Sequence, residues 1–150
     1  MEVFVDFLGP DGAFLAGEEP VVTILPGQTT AIAGQAAGAG EAATIDVRPP
    51  DDVVAFQPRA DEGTFDVEDI RTTSADGQTI TTGRLMSRFQ TDQSFVEVIA
   101  IYRDGAGSIV GGASGGIEAI PAGGSAEFEI IGVSPSVEIA STEVYWQVAR

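Results

Sequence analysis

Residues 95–131, FVEVIAIYRDGAGSIVGGASGGIEAIPAGGSAEFEII, constrain the fold more than any other stretch. Phe95 to Tyr102 is apolar at both odd and even positions, the pattern of a strand buried on two sides. Asp104 to Gly107 is a Gly-rich turn, and Ser108 to Gly111 returns as a short strand. Pro121 to Gly124 turns the chain again. Ser125 to Ile131 then alternates, with Phe128 inward and Glu127 and Glu129 outward. Nowhere in the chain do apolar residues recur convincingly at helical spacing. Short strands punctuated by Gly and Pro predict an all-β, immunoglobulin-like antiparallel β-sandwich of Greek-key type. The expected helix content is under about 10%, against about 30–35% in ordinary globular proteins.

The remaining strands read from the same rules. Phe65–Ile70 and Gln78–Phe89 flank Asp76-Gly77, a hairpin turn that takes positive φ. The apolar phase of the second of these shifts between Ile80 and Leu85, so a bulge is expected at Gly83. With Phe95–Tyr102, Ser108–Gly111, Ser125–Ile131, Ser136–Ile139 and Glu143–Val148, this makes seven strands, a complete sandwich over 65–150. Leu85, Val98, Tyr102, Phe128, Ile130 and Trp146 form its predicted core. Before it, Glu2–Leu8, Ala13–Ala16, Val21–Leu25, Thr29–Ala33, Thr44–Val47 and Val53–Gln57 read as strands. Gln35–Ala43 reads as loop, because Gly38 and Gly40, like Gly34 just before it, each disfavour helix by about 1 kcal/mol against Ala. Pro49 to Asp52 is a turn, and residues 59–64 have the composition of a linker.

The first block repeats the second. Glu2 to Gly17, EVFVDFLGPDGAFLAG, aligns with Glu97 to Gly112, EVIAIYRDGAGSIVGG, at a constant offset (97 − 2 = 95). Gly12 meets Gly107, Phe7 meets Tyr102, and Phe14-Leu15 meets Ile109-Val110. Leu25-Pro26-Gly27 resembles Ile120 to Gly123 with one residue inserted, and Ala55-Phe56-Gln57 resembles Tyr145-Trp146-Gln147. A period this long indicates duplicated domains rather than a solenoid. Residues 1–58 would then be a partial copy without counterparts of Phe65–Ile70 and Gln78–Phe89. Such a copy exposes sheet edges. Self-association, as a homodimer, or binding to a protein partner is therefore expected.

Composition narrows the chemistry. The 150 residues carry a net charge of −16 and no Lys, His, Cys or Asn. Such a field opposes nucleic acid and anionic lipid. Without His there is no imidazole base, without Cys no thiolate, and without Lys no Schiff base or phosphate-binding P-loop. Paired carboxylates remain: Glu127 and Glu129 stand about 7 Å apart on one face of a strand. They face solvent, so no catalytic residue is assigned. The acids Asp61, Glu62, Asp66, Glu68 and Asp69 match no calcium-loop spacing and read as a solvated edge. The glycines from Gly105 to Gly116 read as turn geometry, not as a phosphate cradle. Tyr145 and Trp146 are neighbours on one strand and point to opposite faces, with Trp146 inward. No cofactor or metal site is assigned. No apolar run reaches the ~18–20 residues that span a membrane, and MEVFVDF lacks the pattern of a signal peptide.

Residues 65–148 resemble the FxLYD domain. The likeness rests on Gly83-Arg84-Leu85, Ile99-Ala100-Ile101-Tyr102, the turn Asp104 to Gly107, and Pro121 to Phe128. The name motif is altered: Ile99 stands for Phe, Arg103 follows Tyr102, and the acid comes one residue late at Asp104. The resemblance implies a small β-sandwich of secreted or cell-envelope proteins with no established chemistry. It implies a structural, spacer or protein-interaction role. The alternative is a glycan- or ligand-binding module that uses loops at one end of the sandwich.

Overall fold

The computed structural model describes residues 3–25, 27–33, 42–48 and 63–148. Among them are nine strands and no helix: β1 Phe4–Leu8, β2 Phe14–Glu18, β3 Thr44–Arg48, β4 Phe65–Ala75, β5 Gln78–Ser87, β6 Val96–Arg103, β7 Ile109–Ile117, β8 Ser125–Val133 and β9 Ser141–Val148. The chain divides into two compact units, one of residues 1–23 and 34–57, the other of residues 24–33 and 58–150. The segment 24–33 thus groups with the second block, not with the first block that contains it in sequence.

The second unit is an antiparallel β-sandwich. One sheet has the order β4-β5-β8 and the other β7-β6-β9. Leu85, Phe128 and Ile130 from the first sheet meet Val96, Val98, Ala100, Tyr102, Trp146 and Val148 from the second in one buried cluster. All six residues expected in the core are buried. The core has two chemically distinct ends. At one end Phe65 lies 4.9 Å from Phe89 and 5.1 Å from Trp146, ring centre to ring centre. At the other end the buried groups are hydroxyls, described below.

Several expected elements differ. β5 has no bulge at Gly83. Its inward residues are Thr79, Thr81, Gly83, Leu85 and Ser87 in unbroken alternation. The apparent phase shift arises from counting Ile80 as inward when two threonines hold those places. The irregularity sits opposite, on β4, where Asp69 and Ile70 together face Gly83, between the pairs Glu68 with Arg84 and Arg71 with Thr82. Asp69 adopts φ 56° there. Ser136–Ile139 is irregular, so the described residues of the second unit form six strands instead of seven. β7 runs on to Ile117, which places Gly111, Gly112, Gly115 and Gly116 in a strand rather than in turns. Val21–Leu25 and Thr29–Ala33 form no strand beyond a single bridge at Val21. Asp76 and Gly77 do turn with positive φ, 54° and 78°. The expected loop at 35–41, the turn at 49–52, the strand Val53–Gln57 and the linker through Glu62 lie outside the described residues.

The first unit holds one antiparallel sheet, β2-β1-β3. The register of β1 with β2 is that of β6 with β7 shifted by 95. Phe7 pairs Ala16 and Leu8 pairs Phe14, with a shift between them. Tyr102 pairs Gly111 and Arg103 pairs Ile109, with the same shift. The turns also agree. The Gly9 amide donates to the Ala13 carbonyl and the Gly12 amide to that of Gly9; Asp104 with Ser108 and Gly107 with Asp104 repeat both bonds. Gly12 and Gly107 have φ 78° and 84°, which a side chain would strain. The strand beside β1 is β3, in the place of β9, so Thr44 corresponds to Ser141 (141 − 44 = 97) and the expected match of Ala55-Phe56-Gln57 with Tyr145-Trp146-Gln147 is not the one the sheet makes.

Candidate functional site

Three polar constellations stand out, all within the second unit. One is a cleft of about 530 Å³ between the end of β4 and residues 135–142. It is walled by Ile70, Val137 and Glu138 and floored by the hydroxyls of Thr72, Ser74, Ser141 and Thr142. These hydroxyls continue inward. Thr72 Oγ1 lies 2.7 Å from Thr142 Oγ1 and 3.2 Å from Thr81 Oγ1, and Thr81 Oγ1 lies 3.1 Å from the Tyr102 hydroxyl. A parallel chain joins Ser74, Thr79 and Ser134 at 3.0 Å each. Alternation on β4 and β5 sets this up, because each strand points every second residue inward and next to the hairpin those residues are Thr72, Ser74, Thr79 and Thr81. Hydroxyls both donate and accept, so they satisfy one another without a charge. Among the described residues the hydrogen bonds of these hydroxyls run to one another. The cleft offers hydrogen bonds to a neutral polar molecule.

The second constellation lies on the outward side of β7-β6-β9. Arg103 Nε and Nη2 each approach a different Glu143 carboxylate oxygen at 3.1 Å, a two-pronged pair. The Tyr145 hydroxyl donates to Glu143 Oε2 at 3.0 Å, and Arg103 Nη1 donates to the Gly107 carbonyl at 2.9 Å. The hydrogen bond from Arg103 holds the Glu143 carboxyl below its ordinary range, aided by Tyr145. The hydrogen bond to Glu143 raises the Tyr145 phenol, with burial adding to it. Both partners are satisfied and the group is solvent-facing. It ties β6, β9 and the 104–107 turn together. Trp146, the neighbour of Tyr145, is in the core as expected.

The third is a shallow groove of about 390 Å³ on the outward side of β4-β5-β8. Glu127 and Glu129 both line it and both face solvent. Arg84 sits between carboxylates, 3.7 Å from Glu127 and 3.9 Å from Asp69. The two glutamates therefore share a face, as expected, but in an open groove beside two cations, Arg71 and Arg84. Asp66 is taken by Arg88 at 2.7 Å, so the acids of β4 do not converge. Among the described residues no three potential metal ligands cluster. Asp61 and Glu62 lie outside them. The hydroxyl cleft is not legible in the sequence; the run of Thr and Ser in 72–82 is its only trace. No protein-family model, no curated protein and no solved structure matches the chain.

Proposed function

We propose that the chain is a non-catalytic module of a secreted or cell-envelope protein, built from two related immunoglobulin-like units, with a structural, spacer or protein-interaction role. The carrying observation is the recurrence of register, strand irregularity and turn bonds 95 residues apart (102 − 7 = 95). Chance strand–turn patterns share composition, but not the position of an irregularity. The strand orders β4-β5-β8 and β7-β6-β9 correspond to A-B-E and C′-C-F of the immunoglobulin arrangement. The FxLYD resemblance of residues 65–148 brings the expectation of an envelope setting. Tandem sandwiches of this kind set distances and present edges and loops. In the native cell, fractionation of the protein with the envelope or the medium supports the reading; a wholly cytosolic protein would sink it.

The hydroxyl cleft favours a second reading, binding of a neutral glycan or similar ligand. Calorimetric titration with a panel of oligosaccharides decides between them. Retention of a sugar whose affinity falls when Thr142 is changed to Val would establish the second reading over the first.

A further inference from the structure

We propose that the open edge of β9, with the outward side of its sheet, is a strand-accepting site, and that its trans occupant is residues 24–33 of a second copy of this chain. The proposal rests on the interaction-module reading and names the partner and the surface. Among the described residues β9 pairs with β6 alone, so its other edge carries no described strand. In an immunoglobulin-type sandwich the strand that follows β9 would lie there. Here residues 24–33 hold that ground. Leu25 is buried in the core of the second unit. Gln28 Nε2 donates to the Trp146 carbonyl of β9 at 2.7 Å, while its Oε1 accepts from the Leu25 amide at 3.0 Å. Further along, the buried Gln147 side chain donates to the Ala31 carbonyl at 3.1 Å. A Cβ built on Gly112 would stand 3.4 Å from the Ala33 Cβ and 3.3 Å from Ile101 Cδ1, so the segment ends over the outward face. Ile99 and Ile101 on that face are buried although they point away from the core.

The occupant is defined by these contacts: a segment with a leucine, a glutamine three residues on whose backbone amide turns back to the leucine carbonyl, and apolar residues beyond. In ILPGQTTAIA, residues 24–33, there is no charge. A second copy therefore delivers this segment without adding like charge to a site on a chain of net charge −16. Among the described residues the contacts in cis include two side-chain amides and one buried leucine but no strand ladder, and Thr30 Oγ1 is buried without a partner. The counterpart of this segment in the repeat is β8, which pairs with β5 from Gln78 to Met86. No described strand of the first unit offers such a partner, and the segment groups with the second unit. A neighbouring copy makes the same contacts. Exchange therefore differs from the cis arrangement only in linkage, effective concentration against real concentration.

The chain has no Cys, which makes the test clean. Disulfides need Cβ atoms about 3.5–4.5 Å apart. In the double variant Ala33→Cys with Gly112→Cys the two Cβ atoms stand 3.4 Å apart, just under that range, so a shift of a few tenths of an ångström brings the pair into it. Refolded and oxidised at ~1 mM, near the effective concentration of a short linker, it should run as a covalent dimer, and at ~1 µM as a covalent monomer. Either single-Cys variant should give no comparable dimer. The unmodified chain, refolded at the high concentration as a mixture of light and isotope-labelled copies, should yield mixed dimers that survive dilution. Covalent monomer alone at both concentrations, with no mixed dimers, overturns the exchange. Failure to form the disulfide at either concentration overturns the placement of the segment. Neither result bears on where the protein resides in the cell, which tests the module reading separately.

Discussion

The Phe128 ring occupies the space that a side chain at position 83 would need. A Cβ on Gly83 would come within 2.5 Å of Phe128 Cζ and 3.1 Å of the Glu68 carbonyl. Phe128→Ala should cost about 3–5 kcal/mol, through lost burial and the cavity left behind. Gly83→Ala should cost about 1–3 kcal/mol through overpacking. Urea titration of both, and of the pair, checks the argument. Their sum should exceed the double-variant loss, because removing the ring frees the space. Glu143 gives a pH prediction. Its carboxyl is held below the ordinary range by Arg103, so the folded state favours the ionised form. That contribution is present above the ordinary glutamate value, about 4.3, and is lost as pH falls through the lower folded value. Tyr145 is shifted the other way. Its contribution is present below the ordinary tyrosine value, about 10, and is lost as pH rises through the higher folded one. Glu143→Gln should flatten the acid limb of a stability–pH profile and lower the Tyr145 titration seen by ultraviolet absorbance. An unchanged Tyr145 titration would show that the two groups are uncoupled in solution.

At the level of elements, turns and central strands are legible in the sequence and edge behaviour is not. Asp76-Gly77 carries its own backbone preference, and β6 carries an apolar signal on both faces; neither needs a partner to be read. β5 misleads because a buried threonine looks like a surface residue until another hydroxyl is placed opposite it. That information lies in Thr72, Tyr102 and Ser134, which are distant in sequence from one another. For the same reason the cleft that Thr72 and Thr142 line cannot be foreseen. Residues 29–33 have strand composition but no described strand to pair with, and strand propensity without a neighbour does not make a strand. The sequence signals an irregularity between β4 and β5 but points to the wrong strand. Either partner could absorb it, and Asp69 does so because a short polar side chain tolerates the left-handed region. Asp69→Gly should therefore be neutral or slightly stabilising. Asp69→Val should cost about 1–2 kcal/mol. Thermal melts of the two variants compare them directly, and equal melting points would mean that the backbone relaxes at this site.

At the scale of the whole molecule, the net charge of −16 sets an expectation for how stability responds to salt. Among the described arginines, Arg48, Arg84, Arg88 and Arg103 each sit against at least one carboxylate. The chain has 23 acidic residues and only 7 basic ones, so sixteen negative charges have no cation to meet. Salt acts on both populations. It weakens the ion pairs, but exposed pairs are worth only about 0–1 kcal/mol each. It also screens the repulsion among unpaired carboxylates, whose range shrinks from about 30 Å at 0.01 M to about 3 Å at 1 M. Folding concentrates those charges into a small volume, so repulsion is relieved mainly in the folded state. The net sign follows from the count: few attractions to lose and many repulsions to remove. The melting temperature should rise between 0.01 and 1 M sodium chloride, most steeply at the low end. Sodium chloride is the salt to use, since sulfate would add a separate stabilisation through exclusion from the surface. Self-association between like-charged copies should strengthen over the same range. A melting temperature that stays flat or falls would mean that the ion pairs of Arg48, Arg84, Arg88 and Arg103 outweigh the remaining repulsion, and the excess charge would then need another explanation than its cost to the fold.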